Sequence, residues 1–191
     1  TPGEMIAADV SQTRQLVFSD MNIQVTDDLA RVVQSSEQIM LAIKPQQAGD
    51  VAGEAGKFLG DDQIIISIMA GIGSAKLAGM LGQKARVIRV MPNTPLMVGL
   101  GMTGIARGEH AEPDDAKLSM KLFGSGKSEA VLVEESAIDA ITAVSGSGPA
   151  YLFYLAEAME QAAADLGLGS DAQRLVTQTL LGAATLLLNS P

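Results

Sequence analysis

The chain has 191 residues, of which 47% are apolar and 18% charged, so it is long enough for one globular core with a second small unit, and disorder is excluded. Its 13 basic and 22 acidic residues give a formal net charge of −9, which repels a phosphate backbone, so we expect no nucleic-acid partner. The absence of cysteine excludes disulfides, thiolate catalysis and cysteine–zinc sites, and predicts a reducing, cytoplasmic location.

Apolar runs and helical segments alternate along the first part of the chain. The predicted strands are Met5–Ala8, Asn22–Thr26, Ile39–Ile43, Ile64–Ile68 and Arg86–Met91, and the predicted helices between them are Ser11–Phe18, Asp27–Ser36, Gln46–Phe58 and Ser74–Leu81. Continuously apolar strands separated by helices are typical of a parallel sheet covered on both faces. We therefore predict an α/β fold with a Rossmann-like, doubly wound parallel sheet, whose ligands bind at the carboxyl ends of the strands.

The strand pattern stops near Ser136. Three helices are then predicted in succession: Ser136–Val144, Ala150–Leu166 and Asp171–Leu188. Gly167 suits the end of the second helix, and Ser170 with Gln173 matches a capping box for the third. We place a dinucleotide-binding domain over residues 1–135 and an all-α oligomerisation domain over residues 136–191.

The last predicted helix is apolar on nearly all sides, so a partner subunit or further chain must cover it. This predicts a homodimer or higher homo-oligomer formed through the C-terminal helices. Its longest apolar run, Leu180 to Leu188, reaches only about half the length of a bilayer-spanning helix, so we expect no membrane contact.

Polar residues follow the first predicted strand. Asp9 lies where dinucleotide-binding folds often place an acid for the adenosine ribose, and Ser11 and Arg14 are alternative partners for a 2′-phosphate. A helix cap with a surface charge explains the same residues equally well.

Small and polar residues also follow the later strands. Ala42-Ile43-Lys44-Pro45 closes one strand and Met69-Ala70-Gly71 closes another, and small residues there let a flat ligand lie against the backbone. Lys44 is either a partner for a phosphate or carboxylate or a structural surface residue. Met91-Pro92-Asn93-Thr94-Pro95 forms a polar loop at a strand end, and Ser145–Tyr151 is a glycine-rich turn that opens a helix.

The usual nucleophile and metal constellations are missing from the sequence. His110 is the only histidine, so neither a triad nor a histidine metal site can be built, and we expect it to be a loop residue. Glu134 and Glu135 follow an apolar run and would face opposite sides if they continued a strand. A sheet of the nucleotide-binding type without a proton-transfer group favours hydride transfer, because the cofactor then supplies the reactive atom. We assign no catalytic side chain and no metal.

Six segments of the chain resemble pyrroline-5-carboxylate reductases. They are Leu41–Gln46, Ile66–Ile72, Arg86–Pro95, Val98–Thr103, Asp139–Tyr151 and Gln178–Ala183, and they occur in the order and spacing of that family. The resemblance covers nearly the whole chain, and six segments in register make it highly specific.

The resemblance implies an NAD(P)H-dependent reductase that converts Δ1-pyrroline-5-carboxylate to L-proline, with NADPH or NADH as cofactor. It implies that Ala42–Pro45 and Met69–Gly71 line the cofactor, together with Met91, Pro92 and Asn93. Asn93 and Thr94 would approach the imine, and Glu135 would lie near the bound substrate. Its helical domain would interlock with that of a partner subunit.

The chain departs from the family pattern at three places. The family has a glycine-rich phosphate loop upstream of the position of Thr1 and a proline-glycine-glycine-threonine segment beyond that of Pro191. With both domains incomplete, we expect the isolated 191 residues to bind cofactor poorly and to show no turnover. Asp27-Asp28-Leu29 stands where many members have asparagine, which leaves the contact to a 2′-phosphate open.

Two alternative functions remain at this point. One is a different reductase with a Rossmann and a helical domain, such as a relative of the β-hydroxyacid dehydrogenases, which needs a catalytic lysine that residues 150–166 do not contain. The other is a non-catalytic oligomerisation or binding module that uses the apolar helices.

Overall fold

The computed structural model describes residues 2–82 and 85–190. The chain divides into two compact units, residues 1–146 and residues 147–191. The first unit therefore extends past the boundary that the sequence predicts at residue 135, because a short helix after that residue packs on the sheet.

The strands of the first unit form two sheets. They are β1 (Ile6–Ala8), β2 (Gln24–Thr26), β3 (Gln38–Leu41), β4 (Ile64–Ser67), β5 (Arg86–Met91), β6 (Met102–Arg107) and β7 (Glu129–Leu132). β1 and β2 pair in parallel, and β3 to β7 form a five-stranded sheet in sequence order. Pairing is parallel from β3 to β5, antiparallel between β5 and β6, and parallel again between β6 and β7. The predicted doubly wound sheet is confirmed, with one strand reversal that the sequence analysis did not predict.

The helices of the first unit are α1 (Gln12–Asp20), α2 (Leu29–Gln34), α3 (Ala48–Ala55), α4 (Ser74–Leu81), α5 (Ala116–Phe123) and α6 (Ile138–Ile141). Short 3-10 turns lie at Pro2–Glu4, Pro45–Gln47, Thr94–Val98 and Glu135–Ala137, and a π-helical turn spans Thr142–Gly146. The single helix predicted over Ser136–Val144 is therefore three consecutive short pieces. Helix α5 and strand β6 were not predicted from the sequence.

The five-stranded sheet carries apolar side chains on both faces. Ile65 of β4 packs in one buried cluster with Leu77 of α4, whereas the adjacent Ile66 packs in a second cluster with Phe123 of α5. Because successive strand residues point to opposite faces, a continuously apolar strand needs cover on both sides. The helices on the two faces supply it.

A glycine on β6 brings α6 close to the sheet. A Cβ atom at Gly104 would lie 2.8 Å from Cδ1 and 2.9 Å from Cγ2 of Ile141, so a larger residue there would have to displace the Ile141 side chain. Ile138, one turn earlier, is buried. This close packing fixes the segment that leads to the glycine-rich turn.

The start of β5 is held by a buried ion pair. Arg86 Nε donates to Asp115 Oδ2 at 2.9 Å, and the Asp115 residue is 3% exposed. Burial raises the pKa of Asp115, but the hydrogen bonds from Arg86 and from the backbone N–H of Glu112 outweigh it, and the pKa lies below its usual value. The same hydrogen bond with Asp115 raises the pKa of Arg86.

The second unit consists of α7 (Gly148–Asp165) and α8 (Ala172–Asn189). Gly167 has φ of 84° and ends α7 as predicted, since its N–H donates to Ala164 O and that of Leu168 donates to Ala163 O. The predicted capping box of Ser170 and Gln173 is wrong. Helix α8 begins after Asp171, one residue later than the box requires, and no side-chain cap forms there. Within the described residues, no helix is long and apolar enough to cross a membrane.

Candidate functional site

The carboxyl ends of three parallel strands meet at one edge of the sheet. Leu41 of β3 pairs with Ser67 of β4, and Ser67 pairs with Arg89 of β5. The predicted cofactor segments lie at these strand ends: Ala42–Pro45 follows β3 directly, Met69–Gly71 begins two residues after the end of β4, and Met91–Asn93 begins with the last residue of β5. The structure therefore brings these three segments together at the edge where ligands bind in open α/β sheets.

The first two segments differ in what they offer a ligand. Ala42, Lys44, Ala70 and Gly71 are exposed, and Ile43 and Pro45 are half-buried. Met69 is 2% exposed and belongs to a core cluster, so only its backbone can meet a ligand. Gly71 has φ of 73°, which favours glycine over any residue with a side chain.

Asn93 joins the strand-end loop to the glycine-rich turn. Its Nδ2 donates to Ser145 O at 3.1 Å, and its Oδ1 accepts from the backbone N–H of Met102 at 3.0 Å. The Asn93 side chain, which was predicted to contact the imine, is therefore already hydrogen-bonded to the backbone at two points. The two motifs, distant in sequence, meet at this residue.

A pocket of about 450 Å³ lies beside Asn93. Its lining residues are Pro92, Asn93, Thr94, Leu96, Met97 and Gly146, and none of these carries an ionisable side chain. A Cβ atom at Gly146 would lie 2.7 Å from Cε of Met91, so a larger residue there would push the flexible end of that side chain aside. The arrangement can hold a flat apolar ring with its polar edge towards the Asn93–Thr94 backbone.

Glu135 does not continue a strand. β7 ends at Leu132, and Glu135 starts a 3-10 turn, so the prediction that Glu134 and Glu135 alternate on a strand is wrong. The Glu135 carboxylate accepts from Ser74 N at 2.6 Å and from the Ser74 hydroxyl. Ser74 is the first residue of α4, and free N–H groups at a helix start favour a carboxylate. Glu135 therefore caps α4 from a distant part of the chain.

Sequence reasoning missed Arg89, which connects Glu135 to α6. Its side chain is 8% exposed, its Nη2 donates to Asp139 Oδ1 at 2.9 Å, and its Nη1 lies 3.5 Å from Glu135 Oε1. A cation within the apolar run of β5 was the available signal, because a charged residue is rarely buried without partners.

Asp9, Ser11 and Arg14 lie together after β1. Asp9 Oδ1 accepts from Ser11 N at 2.8 Å, and Arg14 donates to both carboxylate oxygens, at 2.6 Å from Nε and 3.0 Å from Nη2. The hydrogen bond from Arg14, followed by that from Ser11, lowers the pKa of Asp9, and the same bond raises the pKa of Arg14. Asp28 acts as a helix cap, because its Oδ1 accepts from Arg31 N at 3.2 Å at the start of α2.

The remaining polar candidates are placed elsewhere. His110 is exposed and lines a separate pocket of about 160 Å³ with residues of α4. Ser145 Oγ donates to Ile141 O at 3.2 Å within its own helical turn. Among residues 2–82 and 85–190, no three histidine, cysteine, aspartate or glutamate side chains converge to hold a metal ion.

These features fit a nicotinamide dinucleotide. The exposed backbone at Ala42, Ala70 and Gly71 can lie along an extended cofactor, and the pocket beside Asn93 has room for a ring. The start of α4, by contrast, is filled by Glu135 and is closed to a phosphate. A mainly parallel sheet with such a carboxyl edge places the chain in the class of dinucleotide-dependent oxidoreductases.

Two family models match the chain. Residues 3–71 match the model described as NADP oxidoreductase, coenzyme F420-dependent, and residues 135–191 match the model described as pyrroline-5-carboxylate reductase dimerisation. The pyrroline-5-carboxylate reductase of Methanosarcina acetivorans is 36% identical over 100% of this chain and 71% of its own length. That of Pisum sativum is 36% identical over 95% of the chain and 67% of its own length. The chain belongs to the pyrroline-5-carboxylate reductase family.

Solved structures agree with this assignment. A pyrroline-5-carboxylate reductase from Coxiella burnetii matches 97% of the chain and 70% of its own, at 32% identity and a TM-score of 0.86. The pyrroline carboxylate reductase of Plasmodium falciparum, solved with NADP bound, matches 97% of the chain and 67% of its own, at 27% identity and a TM-score of 0.83. The chain thus spans about 70% of the length of the Coxiella structure.

Proposed function

We propose that the protein reduces the ring C=N bond of Δ1-pyrroline-5-carboxylate to give L-proline. The observation that carries the proposal is the pocket beside Asn93, whose lining residues are uncharged and include Pro92 and Asn93 from one of the three segments at the carboxyl edge of the sheet. Such a site suits a reaction in which no protein group has to transfer the reacting electrons. Membership of the reductase family supports the same reaction.

For the cofactor, NADPH or NADH, we propose a path along the carboxyl edge of the sheet. Ser11 and Arg14 would meet the adenosine end, and Ala42, Ile43, Lys44 and Pro45 would line the next part. Met69, Ala70 and Gly71 would follow, with Met91, Pro92 and Asn93 at the nicotinamide. A bound reduced nicotinamide supplies the hydride in this reaction.

The protein's own contribution is alignment and exclusion of water. The loop from Pro92 to Thr94, which Asn93 ties to Ser145 and Met102, would hold the imine against the apolar side chains of Leu96 and Met97. Alignment within about 3–3.5 Å of the reacting atoms can account for much of the rate, and a dry pocket strengthens every polar contact within it. Asn93 contributes by shaping the loop, and Thr94 offers the exposed hydroxyl of the pair.

Glu135 was predicted to lie near the substrate. Its carboxylate is bonded to Ser74 and faces Arg89, so a direct substrate contact would have to compete with those bonds. We propose that Glu135 contributes mainly by fixing the start of α4, and the direct contact stays a prediction.

We further propose a cytoplasmic homodimer or higher homo-oligomer, formed through α7 and α8. Phe153, Tyr154 and Leu187 are 64%, 76% and 77% exposed, and the model for the dimerisation domain covers this region. Exposed apolar surface of this kind is typical of an interface.

The test uses the protein as its complete reading frame encodes it. Oxidation of NADPH and of NADH is followed on addition of pyrroline-5-carboxylate, and proline is identified as the product. Proline formation with one oxidised cofactor per product supports the proposal. An oligomer that binds neither cofactor nor imine would instead identify a non-catalytic binding module.

A further inference from the structure

A single buried cation ties the central strand to the segment that ends at the glycine-rich turn. Arg89 lies two residues before Met91 on β5, and its side chain is 8% exposed. Its two carboxylate partners, Glu135 and Asp139, both belong to the segment of residues 135–146. A guanidinium held by the strand can therefore fix the position of that segment through its rigid fork of N–H groups.

The two carboxylate partners of Arg89 connect it to different parts of the site. Glu135 connects Arg89 to α4, because its carboxylate accepts hydrogen bonds from Ser74 at the start of that helix. Ser74 in turn follows the predicted cofactor segment Met69–Gly71. Asp139 connects Arg89 to the pocket, because it lies on α6, and α6 is followed directly by the π-helical turn Thr142–Gly146. The backbone oxygen of Ser145 in that turn accepts the hydrogen bond from Asn93.

Loss of the Arg89 side chain would disturb the position of α6 more than the start of α4. Glu135 would still accept both hydrogen bonds from Ser74, so the start of α4 would stay capped. Asp139, with a side chain 83% exposed, would lose the buried partner that holds α6 towards β5. A shift of α6 would displace Ser145 and Gly146 and change the shape of the pocket, while the cofactor segments would be disturbed less.

We propose that Arg89 is a positioning residue for imine reduction, which holds the segment of residues 135–146 so that Ser145 and Gly146 shape the pocket with Asn93. Arg89 is not among the residues that line the pocket, and it acts through Asp139 and Glu135. The inference rests on the proposed function and adds a residue that the motif match did not assign.

The experiment compares Arg89→Met and Arg89→Lys in the complete protein. Methionine keeps an unbranched apolar stem in place of that of arginine but lacks the guanidinium, and the two carboxylates it leaves are 29% and 83% exposed, so water can solvate them. We expect kcat/KM for pyrroline-5-carboxylate to fall between about tenfold and a hundredfold in Arg89→Met, because small misplacements at a reacting centre have effects of that size. Arg89→Lys should recover part of this loss, since it keeps the charge without the fork.

Binding of NADP⁺, measured by calorimetry, gives a readout that does not depend on turnover. We expect its dissociation constant to change little in Arg89→Met and to rise clearly in Glu135→Gln, which weakens the cap on α4. Arg86→Lys is the matched control. Arg86 lies at the start of the same strand, away from the pocket, and also pairs with a carboxylate. Arg86→Lys should therefore lower Tm and leave kcat/KM and the dissociation constant of NADP⁺ unchanged.

Two results would overturn the inference. If Arg89→Met lowers Tm but keeps the wild-type kcat/KM per folded subunit, Arg89 is structural only. If it weakens NADP⁺ binding as strongly as Glu135→Gln does, the network acts on the cofactor side instead. Should Arg89→Met fail to fold, the same two comparisons are made with Arg89→Lys. A wild-type protein that does not reduce the imine would overturn the proposed function and this inference with it, whereas either result above, obtained with an active wild type, overturns the inference alone.

Discussion

The side-chain amide of Asn93 donates a hydrogen bond of 3.1 Å to the backbone oxygen of Ser145, while its oxygen accepts from Met102 N. Three separate segments are thereby fixed by one amide group: the loop after β5, the start of β6 and the turn before α7. Only a side chain with a donor and an acceptor at one end can make both bonds. The polar residue in the strand-end loop is thus used by the fold itself.

Asn93→Asp should separate these two bonds. The new carboxylate can still accept from Met102 N, but it places an oxygen where Nδ2 donated to Ser145 O. We expect the free energy of unfolding to fall by roughly 1–3 kcal/mol, the usual effect of a buried group left without its partner. Urea denaturation measures this, and kcat/KM should fall with it. The exposed Gln34→Glu adds the same charge and is the control, and equal stability of the two variants would contradict the prediction.

Asp9→Asn should change the preference between cofactors. In the wild type the Asp9 carboxylate occupies Ser11 N–H and the Arg14 guanidinium, the donors that a 2′-phosphate would use. Asparagine keeps one accepting oxygen but removes the charge, so its bonds to both donors weaken, and hydrogen bonds to charged groups contribute about 1.5–3 kcal/mol each. We expect affinity for 2′,5′-ADP relative to 5′-AMP to rise about tenfold or more, measured by calorimetry in the complete protein.

The control for this change is Glu54→Gln. It breaks an exposed ion pair with Lys57 on the same unit and should leave the ratio of the two affinities unaltered. A ratio that stays constant or falls in Asp9→Asn would show that Ser11 and Arg14 do not meet the 2′ position.

Gly56→Ala should destabilise the first unit strongly. A Cβ atom at Gly56 would lie 2.2 Å from the backbone oxygen of Leu81, and backbone cannot move aside as a flexible side chain can. We expect a loss of at least about 2 kcal/mol, at the upper end of overpacking effects. At Gly53, on the same helix, nothing lies within 4 Å, so Gly53→Ala should stabilise by about 0.5–1 kcal/mol through helix propensity. The urea midpoints of Gly56→Ala and Gly53→Ala are compared with that of the wild type. A shift of the same sign in both variants would refute the prediction.

Phe153→Glu should reduce the size of the assembly. The Phe153 residue is 64% exposed on α7, beside the exposed Tyr154, and a charge placed in an apolar interface has to be desolvated. Size-exclusion chromatography with light scattering should show a smaller species than the wild type. Gln34→Glu adds the same charge on an exposed residue of the first unit and should leave the mass unchanged. An unchanged mass in Phe153→Glu would exclude this face from the interface.

The parallel part of the fold could be predicted from sequence because its signal is local. β5 and α4 have the bounds predicted for them, since a run such as Val87 to Val90 is readable without knowledge of its neighbours. β6 was not predicted because Gly104 interrupts its apolar pattern, and the glycine there accommodates the close approach of Ile141 from α6. Pattern alone does not reveal such contacts.

The site was predictable to a similar extent. The three strand-end segments were found because parallel strands end at a common edge. The roles of Glu135 and Arg89 were not, because each depends on a polar contact between residues far apart in sequence. A buried charge in an apolar strand indicates that a partner exists but does not say which residue it is.

The reversal of strand direction at β6 has a consequence for folding. Each parallel pair in the five-stranded sheet is joined by a crossover that includes a helix, whereas β5 and β6 are joined by the shortest connection of all, residues 92–101. Loop-closure entropy grows with the length of chain that must be closed, so this antiparallel pair is the least demanding to form. The hairpin that closes residues 92–101 is therefore the natural place for the sheet to begin, and the loop that holds Asn93 would be shaped before the distant segments arrive to complete the pocket.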